Sequence, residues 1–144
     1  MLSYALHEAQ KKLLLIRHGQ AGDSSVKRYI GQTDIELTNR GVAQARALAR
    51  WLAPVPLERI VCSDLLRSMQ TARFLAEAKG VPLEPDSGLR EICLGSWEGL
   101  PMAQVREDNP QAYEQRGRDL AGYRPPGGES FADLQSRVVP VIRD

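Results

Sequence analysis

Arg17, His18 and Gly19 form the tripeptide of this 144-residue sequence that is best equipped for chemistry. An imidazole can act as a nucleophile or a base near neutral pH, and the planar arginine fork matches phosphate or carboxylate. Glycine lets the backbone turn sharply and approach a ligand closely. A lone histidine is more often structural than catalytic, but this one follows four large apolar residues at 13–16. The pattern predicts anion chemistry at the end of a buried strand.

The run at residues 13–16 shows no polar alternation, which favours a strand covered on both faces of a parallel sheet. Ligands bind such sheets outside the carboxyl ends of their strands. Further elements follow in alternation: strands at 59–62 and 81–84, and helices at 38–52, 65–79, 102–118 with a break at 109–110, and 131–142. This order predicts an α/β fold, a three-layer α/β/α arrangement with a mostly parallel central sheet, in a single domain over 1–144.

Local signals indicate where the helices begin and end. Thr38 is a good N-cap for the first helix, and residues 63–64 offer a start for the second. Gly80 is well placed just past the end of the second helix. Ser130 with an acidic residue three positions later, Asp133, predicts a capped start for the last helix.

Composition excludes several classes of function. Nineteen Lys plus Arg against eighteen Asp plus Glu give a net charge of +1, which argues against a nucleic acid or a membrane surface as partner. Cys62 and Cys93 lie far apart without a CxxC spacing, so two buried thiols are expected and no metal site or cofactor is predicted. The first ten residues do not resemble a signal peptide, and nothing approaches about eighteen apolar residues in a row. We expect a cytoplasmic protein.

Four sequence blocks in order resemble those of the histidine phosphatase superfamily, the phosphoglycerate mutase-like fold. They cover about residues 12–139 and lie at 14–19, 31–34 with 37–41, 63–67 and 89–99, and the segment Gly-Gly-Glu-Ser at 127–130 also recurs in the family. The α-ribazole phosphatase branch is the most similar in look, because of residues 28–34 and the compact spacing from Glu91 to Glu129.

The resemblance implies roles for four catalytic residues. His18 would be the nucleophile that forms a phosphohistidine, and Arg17 would bind the phosphate. Arg67 would be a second phosphate-binding arginine, although an isolated helical arginine is more often a solvated surface residue. Glu91, a carboxylate between Leu89 and Ile92, does not look like an ordinary surface position and is the candidate general acid.

The resemblance also implies roles for three further positions. Gly31 and Gln32 belong to the block that lies over the phosphate pocket, and Ser24 stands where an Asn often helps to hold the phosphate. We therefore expect these three to bind substrate. Glu98 is interpreted as a structural carboxylate, and Trp97 as a packing residue.

The implied function is hydrolysis of a small phosphomonoester, with an α-ribazole phosphate-like substrate as one candidate. Two alternatives remain open: a cofactor-dependent phosphoglycerate mutase, and a phosphate-binding scaffold without turnover. The expected partner is a small phosphorylated metabolite, not a nucleic acid or a membrane, and a homodimer is a further expectation.

The end of the sequence carries one more expectation. Residues 131–144 are still in helical period at Asp144, without a Gly or Asn to end the helix. The resemblance implies a second catalytic histidine on a later strand, yet no histidine follows His18. We therefore expect the fold to lack its C-terminal part here and the natural protein to continue past Asp144.

Overall fold

The structure, a computed structural model, describes residues 12–22 and 25–144. The helices are α1 (Asn39–Trp51), α2 (Leu66–Lys79), α3 (Met102–Asp108), α4 (Pro110–Arg118) and α5 (Phe131–Arg143), and the strands are β1 (Ile60–Cys62) and β2 (Leu83–Pro85). Short 3₁₀ turns lie at Ser87–Leu89 and Gly95–Trp97. No described helix is long and apolar enough to cross a membrane.

β1 and β2 pair in parallel, with Ile60 opposite Leu83 and Cys62 opposite Pro85, and α2 connects them. Helices around a parallel sheet confirm the predicted α/β class. β2 starts two residues later than the strand predicted at 81–84. Pro85, which cannot donate to a ladder, stands at its last position.

The strand predicted at residues 13–16 is wrong. Within the described chain these residues belong to no strand, and Leu13 and Leu15 expose 63% and 79% of their surface. Apolar composition favours a strand, but a strand forms only where another one supplies its backbone hydrogen bonds. β1 and β2 pair with each other, and no described strand pairs with residues 13–16.

The predicted helix starts are right for two helices and wrong for one. Thr38 accepts the Gly41 N–H to cap α1, and Ser130 with Asp133 forms a complete capping box on α5. α2 starts after Leu65 rather than at residues 63–64, and the Asp34 carboxylate accepts the Leu66 N–H at 2.7 Å. The cap of α2 therefore comes from a loop 32 residues earlier.

Within residues 12–22 and 25–144, two apolar clusters hold the fold. One joins α1, β1 and α2, and its buried members are Ala49, Leu52, Ile60, Leu75 and Ala76. The other surrounds Trp97, which is 2% exposed and packs against the rings of Tyr29 and Tyr123, as expected of a packing residue.

Cys62 lies on β1 and is buried, and this burial raises the pKa of its thiol to about 11. Cys93 is only half-buried, so the expectation of two buried thiols is right for Cys62 alone. Cys93 lies in the segment that follows Glu91.

Candidate active site

The loop that carries His18 packs backbone to backbone against the first turn of α1. A Cβ on Gly19 would lie 2.5 Å from the Gly41 carbonyl oxygen, and a Cβ on Gly41 would lie 2.1 Å from the Gln20 carbonyl oxygen. Neither position has room for a side chain. The absence of two side chains thus sets how closely the loop approaches the helix.

Hydrogen bonds fix the same loop from two helices. The Gly19 N–H donates to Thr71 Oγ1 on α2 at 3.1 Å, and the Gln20 N–H donates to Gln44 Oε1 on α1 at 2.8 Å. The Gln20 carbonyl accepts the Thr38 N–H at 2.9 Å. His18 therefore sits on a backbone that is held on both sides.

The half-buried His18 ring is oriented by its own neighbour. Its Nδ1 lies 2.7 Å from the Gly19 carbonyl oxygen, and a carbonyl can only accept, so this contact places the proton on Nδ1. Burial lowers the pKa of His18, and the positive charges of Arg67 and Arg17 lower it further, against the opposing effects of the Gly19 carbonyl and Glu91. The ring is thus neutral at pH 7, with the Nε2 lone pair free to react.

Arg67 lies in the first turn of α2 and is 4% exposed, so the alternative of a solvated surface arginine is wrong. Its Nη2 donates to the Gly31 carbonyl at 2.7 Å and its Nη1 to the Thr33 carbonyl at 2.9 Å. Burial lowers the pKa of Arg67, and nearby Glu91 opposes that shift. The positive charge of Arg67 therefore acts on His18, and its two hydrogen bonds fix the 31–33 turn.

Glu98 holds the other side of this turn. Its carboxylate accepts the Gln32 N–H at 2.9 Å, the Thr33 hydroxyl at 3.1 Å and the Leu94 N–H at 3.1 Å, as its interpretation as a structural carboxylate requires. Gly31 has a φ of 52°, and a Cβ there would lie 2.5 Å from Glu98 Oε1. Both the positive φ and the short contact disfavour a side chain at Gly31.

Glu91 is exposed, contrary to the inference from its apolar neighbours. Its Oε1 accepts the N–H of Ile92 at 3.0 Å, and its main-chain carbonyl accepts from the side chains of Gln32 and Arg137. The side chain is thus at the surface while the backbone beneath it is fixed. Its charge nonetheless acts on both His18 and Arg67.

Arg17 is exposed and lines a cavity of about 280 Å³ together with His18, Gly19 and Thr71. The structure thus brings Arg17 and Glu91 within electrostatic range of both His18 and Arg67. Gly31 and Gln32 form the adjoining turn, and Ser24 lies outside the described residues. Among the residues that are described, no three His, Cys, Asp or Glu side chains group as metal ligands.

Residues 13–144 match the profile of the histidine phosphatase superfamily, branch 1. The chain belongs to this family. It is 39% identical over 134 residues to the glucosyl-3-phosphoglycerate phosphatase of Mycobacterium tuberculosis, covering 93% of this chain and 60% of that protein. A probable phosphoglycerate mutase of Yersinia pestis is 33% identical over 127 residues, covering 88% and 59%.

Among solved structures, the α-ribazole phosphatase from Shigella flexneri superposes with a TM-score of 0.82 at 29% identity, covering 89% of this chain and 63% of that one. The phosphoglycerate mutase-like fold expected from the sequence is confirmed. The chain spans about 60% of the length of the curated relatives it matches.

Two residues of this candidate site, Thr71 and Arg137, had no role assigned from the sequence. Thr71 bonds Gly19, 52 positions away, and Arg137 bonds the Glu91 carbonyl, 46 positions away. Contacts of this range leave no local pattern, so only the position of Thr71 one helical turn after Arg67 could have indicated a shared face.

Proposed function

We propose that this protein is a phosphatase that hydrolyses a small phosphomonoester through a phosphohistidine on His18. The observation that carries the proposal is the His18 ring itself. It is neutral because of burial and two nearby arginines, and its Nδ1 is committed to the Gly19 carbonyl, which leaves Nε2 as the nucleophile.

The reaction proceeds in two steps. In the first, Nε2 of His18 forms an N–P bond as the P–O bond to the leaving oxygen breaks, and Glu91 gives that oxygen its proton. In the second, water attacks phosphorus, its proton passes to Glu91, and the N–P bond breaks to release inorganic phosphate. Arg17 and Arg67 stabilise the negative charge on the phosphoryl oxygens in both steps.

The substrate we propose is a small phosphorylated metabolite. Identity of 39% to the glucosyl-3-phosphoglycerate phosphatase, against 29% to the α-ribazole phosphatase, favours a phosphorylated sugar acid over an α-ribazole phosphate. The two free cysteines are compatible with a reducing compartment, so we propose that the protein acts in the cytoplasm.

Phosphoglycerate mutase activity is the second candidate, since one relative is named a probable mutase. A mutase and a phosphatase share the phosphohistidine and differ in its acceptor, which is a substrate hydroxyl in one and water in the other. Arg67 and Glu91 would serve both reactions. The products therefore decide between the two activities.

The test is to follow inorganic phosphate release from p-nitrophenyl phosphate, glucosyl-3-phosphoglycerate and α-ribazole phosphate. Interconversion of 3- and 2-phosphoglycerate is measured in parallel. We expect phosphate release that His18→Ala abolishes and that His7→Ala, which removes the other histidine, leaves intact. Phosphoglycerate interconversion without phosphate release would support the mutase, and saturable phosphate binding without either reaction would leave only a scaffold.

A further inference from the structure

Arg137 on α5 forms a complete fork with Glu129, the residue before the N-cap of the same helix. Nε donates to Glu129 Oε1 at 2.8 Å, and Nη2 donates to Oε2 at 2.8 Å. Both side chains are about three-quarters buried, with 23% and 24% exposed. A bidentate pair at this burial fixes the plane of the guanidinium.

The remaining donors of Arg137 all point at the segment that carries Glu91. Nη1 donates to the Gly88 carbonyl at 2.9 Å and to the Arg90 carbonyl at 2.7 Å, while Nη2 donates to the Glu91 carbonyl at 2.9 Å. The guanidinium thus uses all of its roughly five N–H groups, three of them on main-chain carbonyls of a stretch only four residues long. A surface ion pair does not require this arrangement.

Glu129 holds the far end of the same segment. Its Oε2 accepts the Cys93 N–H at 2.8 Å, and its own N–H donates to the Cys93 carbonyl at 2.8 Å. Residues 88–93 are therefore bound at both ends by one pair of residues, Glu129 just before α5 and Arg137 in the middle of that helix. Arg90, within the segment, forms a bidentate pair with Asp64, which lies just before α2 and Arg67.

The Glu91 side chain has little support of its own. It is exposed, and its one described hydrogen bond is to the N–H of the next residue, Ile92. The direction in which the carboxylate points is thus set by the backbone on which it stands. That backbone is fixed by Arg137 together with the Gln32 amide, which donates to the same carbonyl at 3.1 Å.

We propose that Arg137, through its pair with Glu129, is a positioning residue that aims the Glu91 carboxylate at the leaving group. The inference rests on the proposed function, in which Glu91 is the general acid. Arg137 does not touch the reacting atoms. It acts by holding residues 88–93 in the one backbone arrangement that presents Glu91 toward His18 and Arg67.

The test compares an alkyl phosphate, whose leaving oxygen needs a proton, with p-nitrophenyl phosphate, whose leaving group does not. Arg137→Lys keeps the charge but has only about three donors. We expect it to lower kcat/KM for the alkyl ester at least about tenfold more than for the aryl ester, as Glu91→Gln does more strongly. In the double variant that combines Arg137→Lys with Glu91→Gln, the two losses in kcat/KM for the alkyl ester should not multiply, because both substitutions affect the same proton transfer.

Arg124→Lys is the matched control. Arg124 forms a bidentate pair with Asp133 at the start of the same helix but has no described hydrogen bond to residues 88–93. Arg124→Lys should not lower kcat/KM selectively for either ester. A selective loss in this control would show that any weakening of α5 has the same effect, which would overturn the positioning role.

Two results separate failure of the inference from failure of the proposed function. Suppose that Glu91→Gln lowers kcat/KM selectively for the alkyl ester, while Arg137→Lys lowers kcat/KM equally for both esters and the two losses multiply in the double variant. The positioning role of Arg137 is then overturned and the proposed function stands. If Glu91→Gln is not selective, the general acid is wrong and the inference falls with it. Amide hydrogen exchange gives a readout without turnover: Arg137→Lys should speed exchange at Ile92 and Cys93, and unchanged exchange there would overturn the inference.

Discussion

The Gly19 N–H donates to the Thr71 hydroxyl at 3.1 Å, and that hydroxyl donates in turn to the Arg67 carbonyl at 2.8 Å. Thr71 is 6% exposed, so both bonds lie away from water. One oxygen atom therefore connects the loop that carries His18 to the helix that carries Arg67. The spacing between the two functional groups depends on it.

Thr71→Val keeps the shape of this side chain and removes the hydroxyl. The buried Gly19 N–H would then lack a partner, which should lower the free energy of unfolding by about 1–3 kcal/mol. We also expect a lower kcat/KM, because the loop bearing His18 can shift relative to Arg67. Urea denaturation and phosphate release measure both effects. Thr71→Ser restores the oxygen and should recover most of the loss, and a valine variant equal to wild type would contradict the role.

The lowered pKa of His18 predicts a pH dependence of stability. The unfolded chain, with a histidine pKa of about 6.5, binds a proton more readily than the folded protein does. The free energy of unfolding should therefore fall as pH drops below about 6.5, until the folded-state ring is protonated too. His18→Gln lacks this titration, so its difference from wild type in urea midpoints should change over that range. A gain in wild-type stability relative to the variant on acidification would contradict the sign.

Replacing Arg67 should affect both binding and chemistry. Arg67→Ala removes a charge near His18 and leaves the Gly31 and Thr33 carbonyls without their donors. We expect kcat/KM to fall by about a hundred- to a thousand-fold, with KM raised and kcat lowered. Arg73→Ala, an exposed position on the same helix, controls for the loss of a cation. Equal kinetics in the two variants would contradict a role in phosphate binding.

Gly41→Ala tests the contact between α1 and the His18 loop. Alanine usually stabilises a helix relative to glycine, by about 0.5–1 kcal/mol. Here the added Cβ meets the Gln20 carbonyl, so we expect a net loss of about 1–3 kcal/mol in the free energy of unfolding, and reduced turnover. Gly117→Ala on α4 meets no atom within 4 Å and should be neutral or stabilising. Thermal unfolding of both variants decides the matter, and a stabilised Gly41→Ala would contradict the packing.

The starts of α1 and α5 and the end of α2 could be predicted from the sequence because their signals are local. Thr38 and Ser130 each cap a helix through a residue three positions away, and Gly80 ends α2 in the left-handed conformation that favours glycine. The strand at residues 13–16 could not be judged in this way. Whether it forms depends on a pairing strand elsewhere in the chain, and apolar composition says nothing about that partner.

The site could be predicted only at residues whose type alone indicates a chemical role. Arg17 and His18 stand out by identity, and the structure brings them near Arg67 and Glu91, although the roles of all four stay predictions. Sequence could not show that Arg67 would bond two loop carbonyls, since those partners lie 34 and 36 positions earlier. Nor could its apolar neighbours reveal that the Glu91 side chain faces solvent. Leu89 and Ile92 indicate that the segment packs against the protein, but they do not determine the direction of the side chain between them.

The reactivity of the buried Cys62 thiol can report local unfolding around β1. With a pKa near 11, almost none of this thiol is ionised at neutral pH, and the thiolate is the form that alkylating reagents attack. Once the half-buried Cys93 has been blocked, slow labelling of Cys62 measures how often the cluster around β1 exposes itself to reagent. The chain thus contains a built-in probe of local unfolding, and it requires neither an added fluorophore nor a functioning nucleophile.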